Sequence, residues 1–85
     1  MKIVQKELTK TSKGWIVIFL IDLEGQDISQ FLNKYSRYLV DYEIVLKDKN
    51  LYLKRYFEKL EPWEDETPEE VVKSIKLELT VFLNS

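Results

Sequence analysis

The feature that most constrains this chain is a run of seven consecutive large apolar residues, Trp15 to Ile21 (WIVIFLI). In a β-strand, successive side chains point to opposite faces of the sheet, so this run makes both faces apolar. An antiparallel sheet with one covered face normally alternates apolar and polar residues, whereas continuous apolar runs indicate burial on both faces. An unpaired strand of this composition is also prone to aggregate. The run therefore predicts a central strand, with paired neighbours and a cover over each face.

Length and composition predict a single folded domain over residues 1–85. The chain is 45% hydrophobic and 33% charged, which is typical of a globular protein and not of a disordered segment. A domain of this size buries only roughly 60–65% of the surface that its unfolded chain exposes, so its core is small. The apolar run falls well short of the roughly 20 residues of a membrane-spanning helix. We therefore expect no association with a membrane.

The chain contains neither cysteine nor histidine, and this excludes several classes of chemistry. Disulfides, thiolate nucleophiles, imidazole acid–base catalysis and the usual zinc ligands are all missing. The two glycines, Gly14 and Gly25, cannot form a glycine-rich phosphate loop. We therefore expect a protein that is not an enzyme, takes no cofactor or small-molecule substrate, and lies in the cytoplasm, where small proteins without disulfides are common.

A group of three carboxylates follows the apolar run and is a candidate cation site. Asp22, Glu24 and Asp27 lie in the segment DLEGQD, where oxygen ligands could gather around Mg²⁺ or Ca²⁺. Their spacing matches no calcium-binding loop, however. Asp27 instead suits the cap of a helix, with Gln30 three residues later. We therefore expect no metal site here.

The first half of the chain predicts two strands and a helix. Residues 2–8 (KIVQKEL) are typical of a strand, and Gly14 in the following turn can take a positive φ. The apolar run forms the second strand. Apolar residues then recur at helical spacing from Ile28 to Leu39, which predicts a helix over 28–39.

Residues 42–60 predict a β-hairpin. YEIVLK and LYLKRYFEKL are rich in strand-forming residues and are separated by Asp48, Lys49 and Asn50. These three residues suit a type I turn with Asn50 in the left-handed region, which gives a three-residue hairpin loop. A helix over 51–60 is the alternative, because Leu53, Phe57 and Leu60 also lie at helical spacing.

The last segment decides between two folds. Thr67, Pro68, Glu69 and Glu70 are typical of a helix start, yet residues 75–83 also alternate as a strand would. Two cap residues, Asp27 and Thr67, lie 40 positions apart and are followed by apolar residues at matching positions, which favours two ββα halves. The prediction is an α+β fold with the order ββαββα, a four-stranded antiparallel sheet and both helices on one face. A strand at the C-terminus would give a ferredoxin-like βαββαβ fold with an extra N-terminal strand.

With both helices on one face of the sheet, the other face becomes the candidate binding site. An exposed apolar patch of several hundred Å² on a small protein usually marks an interface. Trp63 lies in the acidic segment EPWEDETPEE and could anchor a partner, although a tryptophan in such a segment more often folds back onto the core. The predicted protein interface comprises Ile16, Ile18, Leu20, Val45, Tyr52, Tyr56 and Trp63.

The favoured function is therefore that of a small protein-interaction or inhibitory accessory protein, which binds a protein partner without catalysis and acts as a homodimer. The alternative is a nucleic-acid-binding module. Basic residues of the hairpin could contact phosphates while Tyr52 and Tyr56 stack on bases. The basic set of the hairpin comprises Lys47, Lys49, Lys54 and Arg55. The formal net charge of −2 argues against this alternative, because nucleic-acid-binding domains are usually basic.

Overall fold

The order of elements is ββαββα, as predicted. The computed structural model describes residues 1–58 and 66–84. The strands are β1 (Lys2–Lys10), β2 (Gly14–Asp22), β3 (Glu43–Lys47) and β4 (Asn50–Glu58). The helices are α1 (Ile28–Tyr35), which continues into a short 3₁₀ turn over Ser36–Tyr38, and α2 (Pro68–Leu83). Because residues 75–83 are helical, the ferredoxin-like alternative is wrong.

The four strands form one antiparallel sheet in the order β1-β2-β4-β3. The apolar run therefore lies in an inner strand, between β1 and β4. An irregularity in β1 between Gln5 and Glu7 inserts one extra residue opposite β2. This bulge changes the alternation of β1, so that Ile3 and Leu8 both face the same side as Val17.

Both helices pack on the same face of the sheet, as predicted. The odd-numbered residues Val17, Phe19 and Ile21 of β2 are buried there. β4 adds Leu51 and Leu53, which pair with Ile21 and Phe19. The helices complete this core with the buried side chains of Phe31, Tyr35, Val72, Ile75, Leu79 and Leu83. Full burial of such a side chain contributes about 1.5–3 kcal/mol, so this face supplies most of the hydrophobic stabilisation.

Side-chain caps fix where the helices begin. The Asp27 carboxylate accepts hydrogen bonds from the backbone N–H groups of Ser29 and Gln30, at 2.7 and 3.3 Å. The Thr67 hydroxyl accepts from the N–H of Glu70 at 3.2 Å, and Pro68 is the first helical residue. α1 is shorter than the predicted 28–39, although Leu39 is buried in the core beyond its end.

The hairpin between β3 and β4 has a tighter turn than predicted. Asp48 and Lys49 have φ of 51° and 66°, and Asn50 pairs with Lys47 as the first residue of β4. A two-residue loop with both residues at positive φ is typical of a type I′ turn, whose twist matches that of the flanking strands. The three-residue loop with a left-handed Asn50 was therefore wrong, and so was the alternative helix over 51–60.

Position 14 requires glycine because there is no room for a side chain, and not because of its backbone conformation. Among the described residues, Gly25 is the glycine with a positive φ, at 87°, and Gly14 does not adopt the positive φ that a glycine can take. A Cβ at Gly14 would overlap the carbonyl oxygen of Phe57 on the neighbouring strand β4. Glycine therefore permits β2 and β4 to approach closely at this end of the sheet.

Candidate functional site: the open sheet face

The candidate site is the face of the sheet opposite the two helices, called here the open sheet face. Strand pairing places its residues in rows that run across the sheet. One row is apolar or aromatic on all four strands and consists, in the order of the strands, of Val4, Leu20, Tyr52 and Val45. Aligned apolar side chains of this kind form a continuous surface, because paired residues lie about 5 Å apart.

The next row places charges around a central isoleucine. Ile18 of β2 is flanked by Glu7 on β1 and by Lys54 on β4, and Glu43 on β3 follows Lys54. The Lys54 ammonium lies 3.7 Å from a Glu43 carboxylate oxygen. A surface pair at this distance contributes at most about 1 kcal/mol. Lys54 therefore remains available to a second carboxylate.

The third row contains Thr9, Ile16 and Tyr56 on β1, β2 and β4. The Thr9 hydroxyl donates a 3.0 Å hydrogen bond to a carboxylate oxygen of Glu7 in the central row. This bond holds the Glu7 side chain along the edge of the open face. The face thus has apolar rows at both ends and a charged row between them.

The helices described above both lie on the other side of the sheet, so neither covers this face. Its inner-strand residues Ile16, Ile18 and Leu20 are half-buried. Val4 and Tyr56 are 41% and 47% exposed. Four strands and three rows give a surface of roughly 20 by 20 Å. Exposed apolar rows of this extent on so small a domain are typical of an interaction site.

Six of the predicted interface residues lie together on this face: Ile16, Ile18, Leu20, Val45, Tyr52 and Tyr56. Trp63 falls outside the described residues. Sequence reasoning missed the contribution of β1, namely Val4, Glu7 and Thr9. Simple alternation would place Val4 and Glu7 on opposite faces, and only the bulge brings them to the same one. The sequence of β1 carries no glycine or proline that would have indicated a bulge.

The structure does not bring the four basic hairpin residues together. Lys47 and Lys54 belong to the open face, and Lys49 lies in the turn. Arg55 pairs with Val17 and therefore points to the helix side. Its guanidinium donates a 3.1 Å hydrogen bond to the Tyr42 hydroxyl and lies 5.2 Å from the centroid of that ring. The basic set is thus divided between two faces and a turn.

Burial raises the pKa of the Tyr42 hydroxyl above its ordinary value. The hydrogen bond and the positive charge of Arg55 oppose this shift, because both favour the ionised phenolate. The negative charges of Glu78 and Asp41 add to the upward shift. Tyr42 therefore stays protonated at neutral pH and serves as the acceptor for Arg55, which indicates a structural pair.

The carboxylates of the segment DLEGQD have structural roles. Asp22 accepts a hydrogen bond from the backbone N–H of Glu24 at 3.0 Å, and Asp27 caps α1. Glu24 and Gly25 both have positive φ in the turn between these residues. Within 1–58 and 66–84, no three acidic side chains are grouped in a way that could hold a metal ion.

Two shallow grooves can be described besides the rows of the open face, and the first of them reaches the open face at Val4 and Leu20. One, of about 490 Å³, is formed where β2 leaves the sheet and includes Asp22, Glu24 and Asn50. The other, of about 320 Å³, lies between the ends of the helices and is bordered by Lys34 and Arg37. Its apolar wall is the stacked pair Tyr38 and Phe82, with ring centroids 6.0 Å apart.

Apolar residues also lie on the outer side of α2. Leu77 and Val81 are 66% and 61% exposed, one turn apart and opposite the core residues Ile75 and Leu79. Their presence explains why this segment alternates like a strand in the sequence. None of the described helices is long and apolar enough to span a membrane.

Comparison with known proteins found no matching family model, no matching curated protein and no matching solved structure.

Proposed function

We propose that this protein is a small accessory protein that acts by binding, without catalysis, and that its open sheet face is the interface of a homodimer. The observation that supports this most directly is the apolar row Val4, Leu20, Tyr52 and Val45, which crosses all four strands with neither helix over it. Burial of apolar surface contributes roughly 25 cal/mol per Å², so covering this row is favourable.

The size of the face fits a weak interface between two folded chains. Standard protein interfaces bury about 800 Å² on each partner, and weaker ones bury somewhat less. The open face, at roughly 20 by 20 Å or about 400 Å² before side-chain relief is counted, lies below this standard size and in the range of weak interfaces. Its composition also fits, because the apolar residues of β2 are flanked by tyrosines and a few charges, and such a combination is typical of interfaces.

A second copy of the chain is the occupant that best fits the shape of this face. Two sheets pack face to face about 10 Å apart, with their strands roughly 30° from parallel. The open face is a regular antiparallel sheet surface and can pack against its own copy in this way. The symmetric contact uses the same patch on both chains, as most homodimers do.

Light scattering coupled to size-exclusion chromatography tests the proposal across micromolar concentrations. We expect the wild-type chain to be a dimer and Ile18→Asp to be a folded monomer, because a buried carboxylate at the centre of the interface is strongly unfavourable. Val4→Asp provides a second variant at the exposed edge of the face, where a loss of folding is not expected.

The matched control is Leu77→Asp, which introduces the same charge at an exposed apolar residue on the outer side of α2. We expect this variant to remain a dimer. A wild-type chain that is monomeric throughout, or two open-face variants that remain dimeric, would contradict the proposal.

A further inference from the structure

We infer that the two copies pair about a two-fold axis that runs along β2, so that Glu7 of each chain faces Lys54 of its partner. This inference rests on the proposed homodimer and specifies its arrangement. It follows from the order of the strands and from the positions of the charges in the central row of the open face.

The arrangement follows from the symmetry of the sheet. An axis along β2 packs β2 against β2 of the partner, and it places β1 of each chain over β4 of the other. Because the axis runs along the strands, each row of one chain meets the same row of its partner. In the central row, Ile18 then meets its own copy at the axis, and Glu7 meets Lys54 twice, once on each side.

The neighbouring rows are compatible with the same axis. Leu20 meets its own copy, and Val4 lies over the partner's Tyr52. In the third row, Ile16 meets its own copy, and Thr9 lies over the partner's Tyr56. The apolar residues of β2 thus form the dry centre, and the two ion pairs lie on either side of it, as is usual for protein interfaces.

Other two-fold axes bring unfavourable pairs together. An axis between β2 and β4 places β1 over β3, so that Glu7 lies over Glu43 and Lys54 lies over Ile18. An axis across the strands through the central row places Lys54 over Lys54. Like charges facing each other in an interface weaken association, and a desolvated ammonium without a partner does so as well. Charge complementarity therefore selects the axis along β2.

A charge-reversal exchange between two variants tests this arrangement. Lys54→Glu gives a chain with carboxylates at both positions, and Glu7→Lys gives a chain with ammonium groups at both. Each homodimer would then face like charges twice, whereas the mixed dimer would contain two opposite-charge pairs. Native mass spectrometry of the mixture, with one chain isotopically labelled, measures the proportions. We expect the mixed dimer to exceed the statistical proportion by about ten-fold or more.

Glu43→Lys is the matched control for Glu7→Lys, because Glu43 also lies beside Lys54 but within the same chain. β3 lies beyond the partner's β1 in this arrangement, so Glu43→Lys mixed with Lys54→Glu should give a nearly statistical mixture. A statistical mixture for Glu7→Lys with Lys54→Glu, or a preference that the Glu43 control reproduces, would overturn the axis while leaving the homodimer intact. A wild-type chain that does not dimerise would instead contradict the proposed function itself.

Discussion

The hydroxyl of Tyr35 in α1 donates a 3.1 Å hydrogen bond to the carbonyl oxygen of Leu83, the last residue of α2. Both residues are buried in the core, and they lie 48 positions apart in the sequence. The last carbonyl groups of a helix have no partner within the helix, so a buried one needs another donor. Tyr35 supplies that donor and ties the ends of the two helices together over the sheet.

Tyr35→Phe should therefore destabilise the protein while leaving the packing of its ring in place. We expect the free energy of unfolding to fall by about 1–2 kcal/mol, because a buried carbonyl group loses its partner. Urea denaturation followed by circular dichroism measures the change. Tyr38→Phe is the control, since Tyr38 is exposed and its hydroxyl lies outside the core. Equal losses for the two variants would show that the Leu83 contact contributes nothing.

Gly14→Ala should also destabilise the protein, because its Cβ would overlap the backbone of β4 at Phe57. Backbone that is paired in a sheet cannot move as a flexible side chain can, so we expect a loss of about 2 kcal/mol or more. Thermal unfolding measures it. Gly25→Ala is the comparison, because its Cβ would meet open space and only the positive φ would cost about 1 kcal/mol. A smaller loss at Gly14 than at Gly25 would refute this explanation.

Local patterns were sufficient to predict the order of the elements. The cap residues Asp27 and Thr67 indicate where the helices begin, because each accepts a hydrogen bond from a backbone N–H group two or three residues later. The seven apolar residues of β2 indicated a central strand because both faces of an inner strand are shielded more than those of an edge strand. The choice of helix for residues 75–83 needed the internal repeat, since alternation alone fits a strand equally well.

Features that depend on two strands at once could not be predicted from local patterns. The bulge in β1 places Val4 and Glu7 on one face, and it is fixed only by pairing with β2. The clash that requires glycine at position 14 involves Phe57, which lies on the neighbouring strand but is far away in the sequence. Alternation along β4 predicts that Arg55 and Lys54 point to opposite faces. The contact between Arg55 and Tyr42 could not be predicted in this way, because it depends on the tertiary structure.

The raised pKa of Tyr42 predicts a loss of stability at alkaline pH. A tyrosine in the unfolded chain ionises near pH 10, whereas burial delays ionisation in the folded protein. The contribution of Tyr42 to the free energy of unfolding is complete below the pKa of the unfolded chain. It is lost as the pH rises through the pKa of the folded protein, because the unfolded state releases the proton first. Urea unfolding from about pH 8 to 11 should therefore show a steeper decline for the wild type than for Tyr42→Phe.

The Arg55 contact provides a second readout for the same tyrosine. Arg55→Met removes the donor and the positive charge that favour the phenolate, so the pKa of Tyr42 should rise further. Ultraviolet absorbance of tyrosinate, compared with and without Tyr42→Phe in the same background, isolates this residue. A downward shift of the pKa in Arg55→Met would contradict the assignment of the hydrogen bond.

The two faces of β2 predict different consequences for neighbouring substitutions. Val17→Ala removes buried atoms on the helix side, so the free energy of unfolding should fall by roughly 2 kcal/mol at every protein concentration. Ile18→Ala removes atoms from the proposed dimer interface, so its effect should appear mainly in the concentration dependence of Tm. Calorimetry over a roughly hundred-fold range of protein concentration separates the two effects, because the Tm of a dimer depends on its concentration. If Ile18→Ala lowered Tm without changing its concentration dependence, Ile18 would be ordinary core and the open face would have no partner there.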